Sequence, residues 1–322
     1  MNGSAAPITV EEVLCPTCAG NEYDVAAEGP DYDNHCCGDQ QFTLVQCHHC
    51  RTFYLNPRPT VDMLNVIYAP DKYYSYSFAE QGNSWVQQAR QGRDRQKIQD
   101  VLRLLDKRSH EITVLDIGAG DGTLLQAFRS SGVHPENLYG LDIEPQAVER
   151  LRSRGFQGVT GRVEEADLLP SHFDVVTMIQ VIEHVANPRN VVRSVYRILR
   201  PGGIFLIETP NAASWDRPFF ARKTWGGYHF PRHWTLWTPV TLSAMLSKEG
   251  FHVVGSETPV AAALWTWSVN HVLQDRGWPR TLTECFSLNN PIALAIFWLV
   301  DLIPSLMGRS ANMRVLARKP LS

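Results

Sequence analysis

The sequence predicts an α/β protein whose main domain is a doubly wound, mostly parallel sheet, preceded by a small zinc-ribbon-like module. Three observations lead to this prediction. From residue 111 onward, short apolar segments alternate with helical segments, which is typical of a parallel sheet covered by helices on both faces. A glycine-rich segment follows the first apolar segment, at residues 118–122. Six of the seven cysteines lie within the first 50 residues.

Composition limits the classes of function. The chain has 322 residues, 44% of them hydrophobic and 20% charged, as expected for a globular protein large enough to bury a core. Its formal net charge of −3 argues against a general nucleic-acid-binding protein. The first ten residues do not resemble a secretory signal, and the apolar stretch 292–300 is too short to span a bilayer. We therefore expect a cytoplasmic protein with reduced thiols and no nucleic-acid partner.

Two C-x-x-C pairs predict a metal site in the N-terminal module, residues 1–60. The pairs are Cys15-Pro16-Thr17-Cys18 and Cys47-His48-His49-Cys50. Four thiolates from two tight turns suit tetrahedral zinc, and a site closed by four cysteines is structural rather than catalytic. Cys36 and Cys37, which follow His35, are alternative ligands. Reduced structural cysteines and a C-x-x-C redox pair are the other interpretations of the pattern.

The rest of the chain is divided by proline and glycine. Residues 61–110 are predicted to form a helical connector, in which the charged run 90–108 faces solvent. The main domain is predicted to span 111–322. Its predicted strands are 112–117, 138–143, 156–160, 173–179 and 204–208, followed by 251–257 and 313–319. Its predicted helices are 123–131, 145–154, 188–199 and 239–248.

The sharpest motif joins the first strand to the first helix and reads Val114-Leu-Asp-Ile-Gly-Ala-Gly-Asp-Gly122. Glycines in such a loop permit tight backbone angles and close approach of a ligand. Asp142 ends the second strand, where a carboxylate can accept hydrogen bonds from ribose hydroxyls. The dinucleotide fingerprint G-x-G-x-x-G would place its third glycine at Thr123, so a nicotinamide-dependent reductase is disfavoured.

The loop and Asp142 resemble those of the class I S-adenosylmethionine-dependent methyltransferases. Further segments fit that family in order: Phe173-Asp-Val-Val176, Val181-Ile-Glu-His-Val185, Leu199-Arg-Pro-Gly-Gly203 and Ile207-Glu-Thr-Pro-Asn211. The resemblance covers about residues 111–255 and a final strand near 313–319. It implies a Rossmann-like sheet of seven strands, S-adenosylmethionine as the cofactor, and methyl transfer as the reaction.

The resemblance also implies a set of cofactor-binding residues: Asp116, Gly118, Ala119, Gly120, Asp142, Ile143, Val163, Glu164 and Gln180. The first four would hold the methionine part, and Asp142 would bind the ribose. Ile143, Val163 and Glu164 would lie beside the adenine, and Gln180 would lie over the cofactor. Arg162 departs from the family, which often has an acidic residue there. A structural carboxylate that bonds the loop amides is a second role open to Asp116.

A base assists methyl transfer when the acceptor is a hydroxyl. Glu183-His184 resembles the E-x-x-E-H pattern of ubiquinone-type O-methyltransferases, where a divalent ion can bind, but Gln180 replaces the first carboxylate. A structural cap is the alternative for this pair. His229 and His233 lie in an aromatic segment that is predicted to close over the substrate, within a lid at 212–237. A packed aromatic lid is the alternative there. Tyr73, Tyr74 and Tyr76 form a third candidate group, which could cover the cofactor or line the pocket, and a role in the core is the alternative for them.

An apolar, tryptophan-rich insertion at 258–310 separates the last two strands. It is predicted to contain helices at 261–273 and 291–307. These helices could pack on the sheet, form a homodimer interface, or contact a membrane peripherally.

Together, these observations predict S-adenosylmethionine-dependent methyl transfer to a small-molecule acceptor, such as a natural product, a sugar or a lipid-linked intermediate. O-methylation is preferred because of the histidines. One alternative is a methyltransferase that recognises a macromolecule through its zinc module. The other is a non-catalytic, zinc-dependent scaffold.

Overall fold

The computed structural model describes residues 7–68, 84–220 and 222–321, with the backbone alone for residues 84–91. The tyrosines predicted to line the site, Tyr73, Tyr74 and Tyr76, lie outside the described residues. The strands of the described residues are β1 (Val10–Glu11), β2 (Tyr23–Gly29), β3 (Phe42–Cys47), β4 (Phe53–Leu55), β5 (Arg58–Pro59), β6 (Val114–Ile117), β7 (Leu138–Asp142), β8 (Gln157–Thr160), β9 (Phe173–Ile179), β10 (Leu199–Pro210), β11 (Thr235–Leu236), β12 (His252–Glu257) and β13 (Asn312–Arg318). The helices are α1 (Leu64–Ile67), α2 (Ser84–Arg103), α3 (Thr123–Ser130), α4 (Pro145–Ser153), α5 (Pro188–Ile198), α6 (Pro239–Lys248), α7 (Ala262–Asp275), α8 (Arg280–Thr283) and α9 (Pro291–Leu306).

The largest sheet has seven strands in the order β12-β13-β10-β9-β6-β7-β8. The strands from β10 to β8 are parallel neighbours, whereas β13 runs antiparallel to both β10 and β12. The predicted doubly wound, mostly parallel α/β sheet is therefore confirmed. β10 is longer than the predicted strand 204–208, because the Pro201-Gly202-Gly203 segment is absorbed into the strand with a shift in register.

The central strands β6 and β9 are almost entirely buried and mostly apolar, as expected when both faces of the sheet are covered. All four residues of β6 are buried, and Asp116 is the one carboxylate among them. A continuous apolar run is the pattern expected for a parallel strand with helices on both sides. A carboxylate placed in such a strand needs polar partners, which the loop after β6 and the neighbouring strands provide.

Four helices of the main domain share one starting device, a polar cap followed by proline in the first turn. In α5, the Asn187 side chain accepts a hydrogen bond from the backbone N–H of Asn190 at 3.2 Å. Glu144, Thr238 and Asn290 hold the same position before α4, α6 and α9. Because proline lacks an N–H and has a helical φ, the first turn costs no hydrogen bond. These starts are readable from the sequence.

The N-terminal segment forms a four-stranded sheet in the order β11-β4-β3-β2. Its edge strand β11 comes from the predicted lid, 212–237, and pairs antiparallel with β4, placing Thr235 opposite Tyr54 and Leu236 opposite Phe53. The side chains of β4 and β11 are buried. The sheet of the predicted module is therefore completed by a strand of the lid.

The expectation that the charged run 90–108 faces solvent is wrong at two positions of α2. Asp94 and Lys97 are both buried. The Lys97 ammonium lies 3.3 Å from an Asp94 carboxylate oxygen and 3.0 Å from one of Glu208. Burial of these charges is tolerated because each is matched by a close opposite charge. This arrangement ties α2 to the end of β10.

The insertion between β12 and β13 folds as helices, as predicted. α7 and α9 pack against each other, and Trp265 of α7 stacks on Phe297 of α9 with ring centroids 5.9 Å apart. Among the described residues, no single helix is both long and apolar enough to cross a membrane. Two consecutive helical segments reach the necessary length and apolar composition only when they are taken together, and they are bent by 54° at the break between them: Arg280–Phe286 and Pro291–Leu306.

Candidate active site and zinc centre

The glycine-rich loop lies where the strand order of the large sheet reverses. β6 has β7 on one side and β9 on the other, and the chain follows this loop from β6 into α3. In open α/β sheets, ligands bind in the crevice outside the carboxyl ends of the strands at this point. The loop at 118–122 follows the carboxyl end of β6, and Gln180 follows the carboxyl end of the neighbouring strand β9.

Two glycines of the loop have distinct reasons to be glycine. Gly118 has φ +74°, and a Cβ built on it would lie 2.4 Å from Cγ2 of Val181, so a larger residue would displace the segment after β9. Gly120 has φ +53°, and none of the described atoms lies within 4 Å of its built Cβ. The loop therefore presents bare backbone toward open space at Gly120, as a cofactor cradle requires.

The Asp142 carboxylate holds this loop. One oxygen accepts a hydrogen bond from the N–H of Gly120 at 2.9 Å, and the other accepts from the N–H of Glu144 at 3.0 Å. A carboxylate has about four lone-pair sites, so two remain for other donors. Asp142 therefore positions the loop, and it keeps the capacity to bind ribose hydroxyls that we expected of it.

The electrostatics near the loop are dominated by carboxylates around one lysine. Burial raises the pKa of the Asp116 carboxyl to about 7, although Thr177 donates a 2.6 Å hydrogen bond to it and Lys97 lies nearby. Lys97 and Arg314 hold the pKa of Glu208 below its usual range against the opposing effect of its burial. A cationic ligand near Asp116 would favour its ionised form. This surrounding suits a sulfonium group.

The remaining predicted cofactor residues lie along the same edge. Ile143 is 59% exposed directly after β7, so an apolar side chain stands open beside Asp142. Val163 is buried and Glu164 is exposed. Gln180 adopts φ +54° and donates its side-chain N–H to Asn312 at 3.0 Å. Ala119 is buried in the loop itself.

The four predicted zinc ligands lie together. The Sγ atoms of Cys15 and Cys50 are 3.4 Å apart, those of Cys18 and Cys47 are 3.6 Å apart, and all four lie within 4.8 Å of one another. These separations fit the edges of a tetrahedron with Zn–S bonds of about 2.3 Å. The donor set and its geometry therefore suit zinc.

The two knuckles are built alike. Ala19 follows the first pair and Arg51 the second, with φ of +62° and +61°. The N–H of Ala19 donates to the carbonyl of Cys15 at 2.8 Å, and that of Arg51 donates to the carbonyl of Cys47 at 3.0 Å. Cys36 and Cys37, our alternative ligands, belong to a separate group beside Asp31.

A buried ion pair joins the lid to the N-terminal segment. The Arg232 guanidinium donates to both carboxylate oxygens of Asp31, at 2.8 and 3.3 Å, and both side chains are fully buried. The positive charge of Arg232 is thus matched within the protein. It is not presented to an anionic substrate.

Replacing Arg232 with methionine is expected to destabilise the protein by about 3–5 kcal/mol, because the Asp31 carboxylate would remain buried without its partner. Urea denaturation measures this change. Arg280→Met is the matched control, since Arg280 forms an exposed pair with Glu284 and such pairs contribute about 0–1 kcal/mol. Equal stability of the two variants would contradict the assignment.

The structure brings the three histidine candidates together. The ring centroids of His184 and His233 lie 4.7 Å apart, and those of His229 and His233 lie 4.9 Å apart. Nδ1 of His233 lies 2.8 Å from the carbonyl of Gly227, and Nδ1 of His184 lies 3.0 Å from the carbonyl of Arg232. Because a carbonyl only accepts, Nδ1 carries the proton in both neutral rings, which leaves each Nε2 as an acceptor.

Glu183 lies between the two Nε2 atoms. Its Oε1 is 3.9 Å from Nε2 of His184 and 4.0 Å from Nε2 of His233, and it has no hydrogen-bond partner among the described residues. Burial raises the pKa of the Glu183 carboxyl to about 8 and lowers the pKa of His184 to about 3. Burial therefore favours the uncharged form of all three side chains, Glu183, His184 and His233.

His229 is oriented by a residue that sequence reasoning missed. Asp33 binds Nδ1 of His229 at 2.8 Å and Nε2 of His271, from α7, at 3.1 Å. Burial alone would raise the pKa of Asp33, but His271 and His229 hold it well below its usual range. The ionised Asp33 therefore links the N-terminal segment, the lid and the insertion. Tyr68, which lies 2.7 Å from Nδ1 of His184 through its hydroxyl, was also missed.

The sheet, its antiparallel β13 and the glycine-rich loop at the switch point define a class I, Rossmann-like methyltransferase that depends on S-adenosylmethionine. The chain belongs to the corresponding family. The sequence profile described as "Methyltransferase domain" matches residues 89–256, just over half of the chain.

Curated relatives agree over a shorter segment. The chain is 36% identical over 106 residues to the ubiquinone biosynthesis O-methyltransferase of Pseudomonas aeruginosa (strain UCBPP-PA14), covering 30% of this chain and 44% of that one. It is 37% identical over 106 residues to the enzyme of the same name from Aeromonas salmonicida (strain A449), covering 30% and 43%. The match thus spans less than half the length of these relatives.

Solved structures with similar folds are distant in sequence. An S-adenosylmethionine-dependent methyltransferase from Archaeoglobus fulgidus aligns with a TM-score of 0.46 and 18% identity, covering 71% of this chain and 94% of that one. One from Mesorhizobium loti aligns with a TM-score of 0.42 and 16% identity, covering 65% and 91%.

Proposed function

We propose that this protein transfers the methyl group of S-adenosylmethionine to a hydroxyl oxygen of a small-molecule acceptor. One observation supports the proposal: His184 and Glu183, in the segment that follows β9, lie against His233 of the lid. Val181 of this segment lies next to Gly118 of the loop, since a Cβ built on Gly118 would be 2.4 Å from Cγ2 of Val181. Proton-accepting atoms and the cofactor cradle therefore share one edge of the sheet.

The cofactor would be held by residues of that edge. The loop at 118–120 offers backbone to the methionine part, Asp142 accepts from the ribose, and Ile143, Val163 and Glu164 flank the adenine. The Asp116 carboxylate would provide a negative surrounding for the sulfonium, and Gln180 would lie over it. When bound, S-adenosylmethionine supplies an electrophilic methyl group whose transfer turns the sulfonium into a neutral thioether.

The acceptor hydroxyl loses its proton as the new C–O bond forms. Nε2 of His233 is our preferred base, because Gly227 fixes the ring by its other nitrogen. His229, which is bound by Asp33, lies beside it. Burial lowers the pKa of His233 well below its usual range, so the ring is neutral and its Nε2 can accept a proton, and the charge of Asp33 opposes this lowering. Burial of the group excludes water from the reacting atoms, so positioning supplies much of the rate enhancement.

The same atoms suit a divalent cation, as in the resemblance to the ubiquinone-type pattern. Oε1 of Glu183 lies 3.9 Å from Nε2 of His184 and 4.0 Å from Nε2 of His233. One ligand atom from each of the three residues lies within 4.8 Å of the others, and each histidine has its Nδ1 at a carbonyl. Glu183, His184 and His233 would hold the cation, which would polarise the acceptor hydroxyl. Gln180 is directed to Asn312 instead.

The zinc module is proposed to be structural and to position the lid. Three contacts support this role: β11 completes its sheet, Asp31 binds Arg232, and Asp33 binds His229. A module devoted to recognising a macromolecule would not need these contacts to the lid. We therefore favour a small-molecule acceptor. The domain limits 1–60, 61–110 and 111–322 remain our proposal for the organisation of the chain.

Replacing Asp142 with alanine is expected to weaken binding of S-adenosylmethionine by roughly 10- to 100-fold, because hydrogen bonds to a charged acceptor contribute about 1.5–3 kcal/mol. Calorimetric titration measures the affinity. Asp106→Ala, at an exposed position beyond α2, is the control. Unchanged affinity of the Asp142 variant would refute the ribose assignment, and failure of the wild-type protein to bind would favour the scaffold alternative.

A further inference from the structure

The helix α9 exposes an uninterrupted apolar row outside the family match. Ile292, Ile296, Leu299, Ile303 and Leu306 follow one another at helical spacing with exposed fractions of 69%, 53%, 64%, 67% and 81%. Asp301 is the one charged residue of the helix, and it is fully buried. Contiguous apolar surface of this kind marks an interaction site.

The opposite face of α9 is fixed to the protein. Asp301 accepts hydrogen bonds from the backbone N–H of Ala261 at 2.7 Å and from the indole N–H of Trp265 at 3.2 Å. Ser310 donates its hydroxyl to the same carboxylate. Rotating the helix to bury its apolar row would strip this buried carboxylate of its donors. The row is therefore held outward by the fold.

The surroundings of α9 indicate its partner. Between residues 275 and 309, the exposed charged residues are Arg276, Arg280 and Arg309, together with Asp275 and Glu284. Glu284 pairs with Arg280, and Asp275 pairs with Lys223, so the surface carries more cations than anions here. Trp278 and Trp298, in the same part of the chain, are 49% and 41% exposed. Cations and tryptophans that border an apolar row are the composition of a helix lying at the headgroup level of an anionic bilayer.

A second copy of the chain fits less well. The row is about 24 Å long and about 10 Å wide, a footprint well below the roughly 800 Å² that each partner contributes to a stable interface. No charged residue of α9 faces outward to set a helix–helix register. Because about 24 Å is also shorter than the roughly 30 Å hydrocarbon core, α9 would lie along the bilayer rather than cross it.

We propose that α9 and the arginines around it dock on the surface of an anionic lipid bilayer. The contact would lie close to the lid. α7 packs on α9, its Trp267 stacks on His229 with ring centroids 5.8 Å apart, and its His271 binds Asp33. Docking therefore places the candidate active site beside the membrane surface, whatever the methyl acceptor is.

Vesicle sedimentation with the full-length protein tests the proposal. Wild-type protein is expected to bind phosphatidylcholine vesicles that contain phosphatidylglycerol and to be released by salt. The variant Ile296→Glu/Ile303→Glu is expected to bind about tenfold more weakly or worse, because both charges would enter the apolar interface. Val240→Glu, an exposed apolar position on α6 with 76% exposure, is the matched control and should bind like wild type.

Two results would overturn the proposal. One is that the wild-type protein does not bind the vesicles, or that the double variant binds them as tightly as the wild-type protein does. The other is a wild-type dimer that the double variant dissociates without any vesicle binding, which would assign α9 to a second copy. Cofactor titration on the same samples keeps the tests separate: a double variant that binds S-adenosylmethionine normally is folded, and vesicle binding requires no turnover.

Discussion

Replacing Cys47 with serine is expected to release zinc and to unfold the N-terminal segment. Structural zinc contributes about 10–16 kcal/mol in zinc-finger peptides, which matches or exceeds the roughly 5–15 kcal/mol that stabilises a typical domain. Cys47 is fully buried, with its Sγ 3.6 Å from that of Cys18. Neither water nor another cysteine can therefore take the place of the thiolate that the serine variant lacks. Elemental analysis of the purified variant and limited proteolysis report the two effects.

The control for this experiment is Cys285→Ser, which removes an exposed cysteine far from the cluster. It should keep about one zinc ion per chain and the wild-type proteolysis pattern. The Cys47 variant should also lose turnover while it keeps S-adenosylmethionine binding, because β11 would lose its partner β4 but the large sheet would remain. Full zinc content and unchanged proteolysis in Cys47→Ser would refute the proposed centre.

Replacing His233 with alanine is expected to lower kcat by about 10²- to 10⁴-fold, the usual contribution of a positioned general base. Cofactor affinity should stay unchanged, since His233 lies in the lid and not in the loop at 118–122. His252→Ala, at an exposed position on β12, is the matched control. Full activity of the His233 variant on the true acceptor would eliminate the base assignment.

His233→Asn separates the two roles open to this side chain. Asparagine can still donate to the carbonyl of Gly227, so the lid keeps its conformation, but it is a poor base. If His233 acts as a base, activity falls and the content of divalent metal is the same as in wild type. If it holds a cation with Glu183 and His184, elemental analysis should show a metal in the wild-type protein that the variant lacks.

Local patterns predicted the core of the fold. The apolar strands, the proline-initiated helices and the glycine-rich loop each depend on residues that are close in sequence. Apart from the longer β10, the limits of the strands and helices agree with the structure within a few residues. The two cysteines within each C-x-x-C pair lie close together because each knuckle is a local turn. The candidate cofactor edge could be named in advance because the carboxyl ends of neighbouring parallel strands meet at one side of a sheet.

Contacts between distant segments were beyond this reasoning. β11 has two residues, too few to show alternation, and its pairing with β4 is fixed by tertiary packing. Asp33 lies in a polar loop whose sequence gives no sign that two histidines more than 190 positions away will bind it. Lys97 belongs to a helix dominated by charge, so its burial depends on a partner on β10 that the helix itself does not reveal.

The pairing of β4 with β11 has a consequence for synthesis on the ribosome. The cysteine knuckles and strands β2, β3 and β4 precede the main domain in the sequence, so the four ligands of the proposed zinc ion are made before that domain is translated. The outer edge of β4 stays without its partner until Thr235 and Leu236 emerge, after most of the large sheet has been made. An exposed strand edge favours association between nascent chains. Because of the order of translation, the N-terminal sheet is completed only when β11 of the lid pairs with β4.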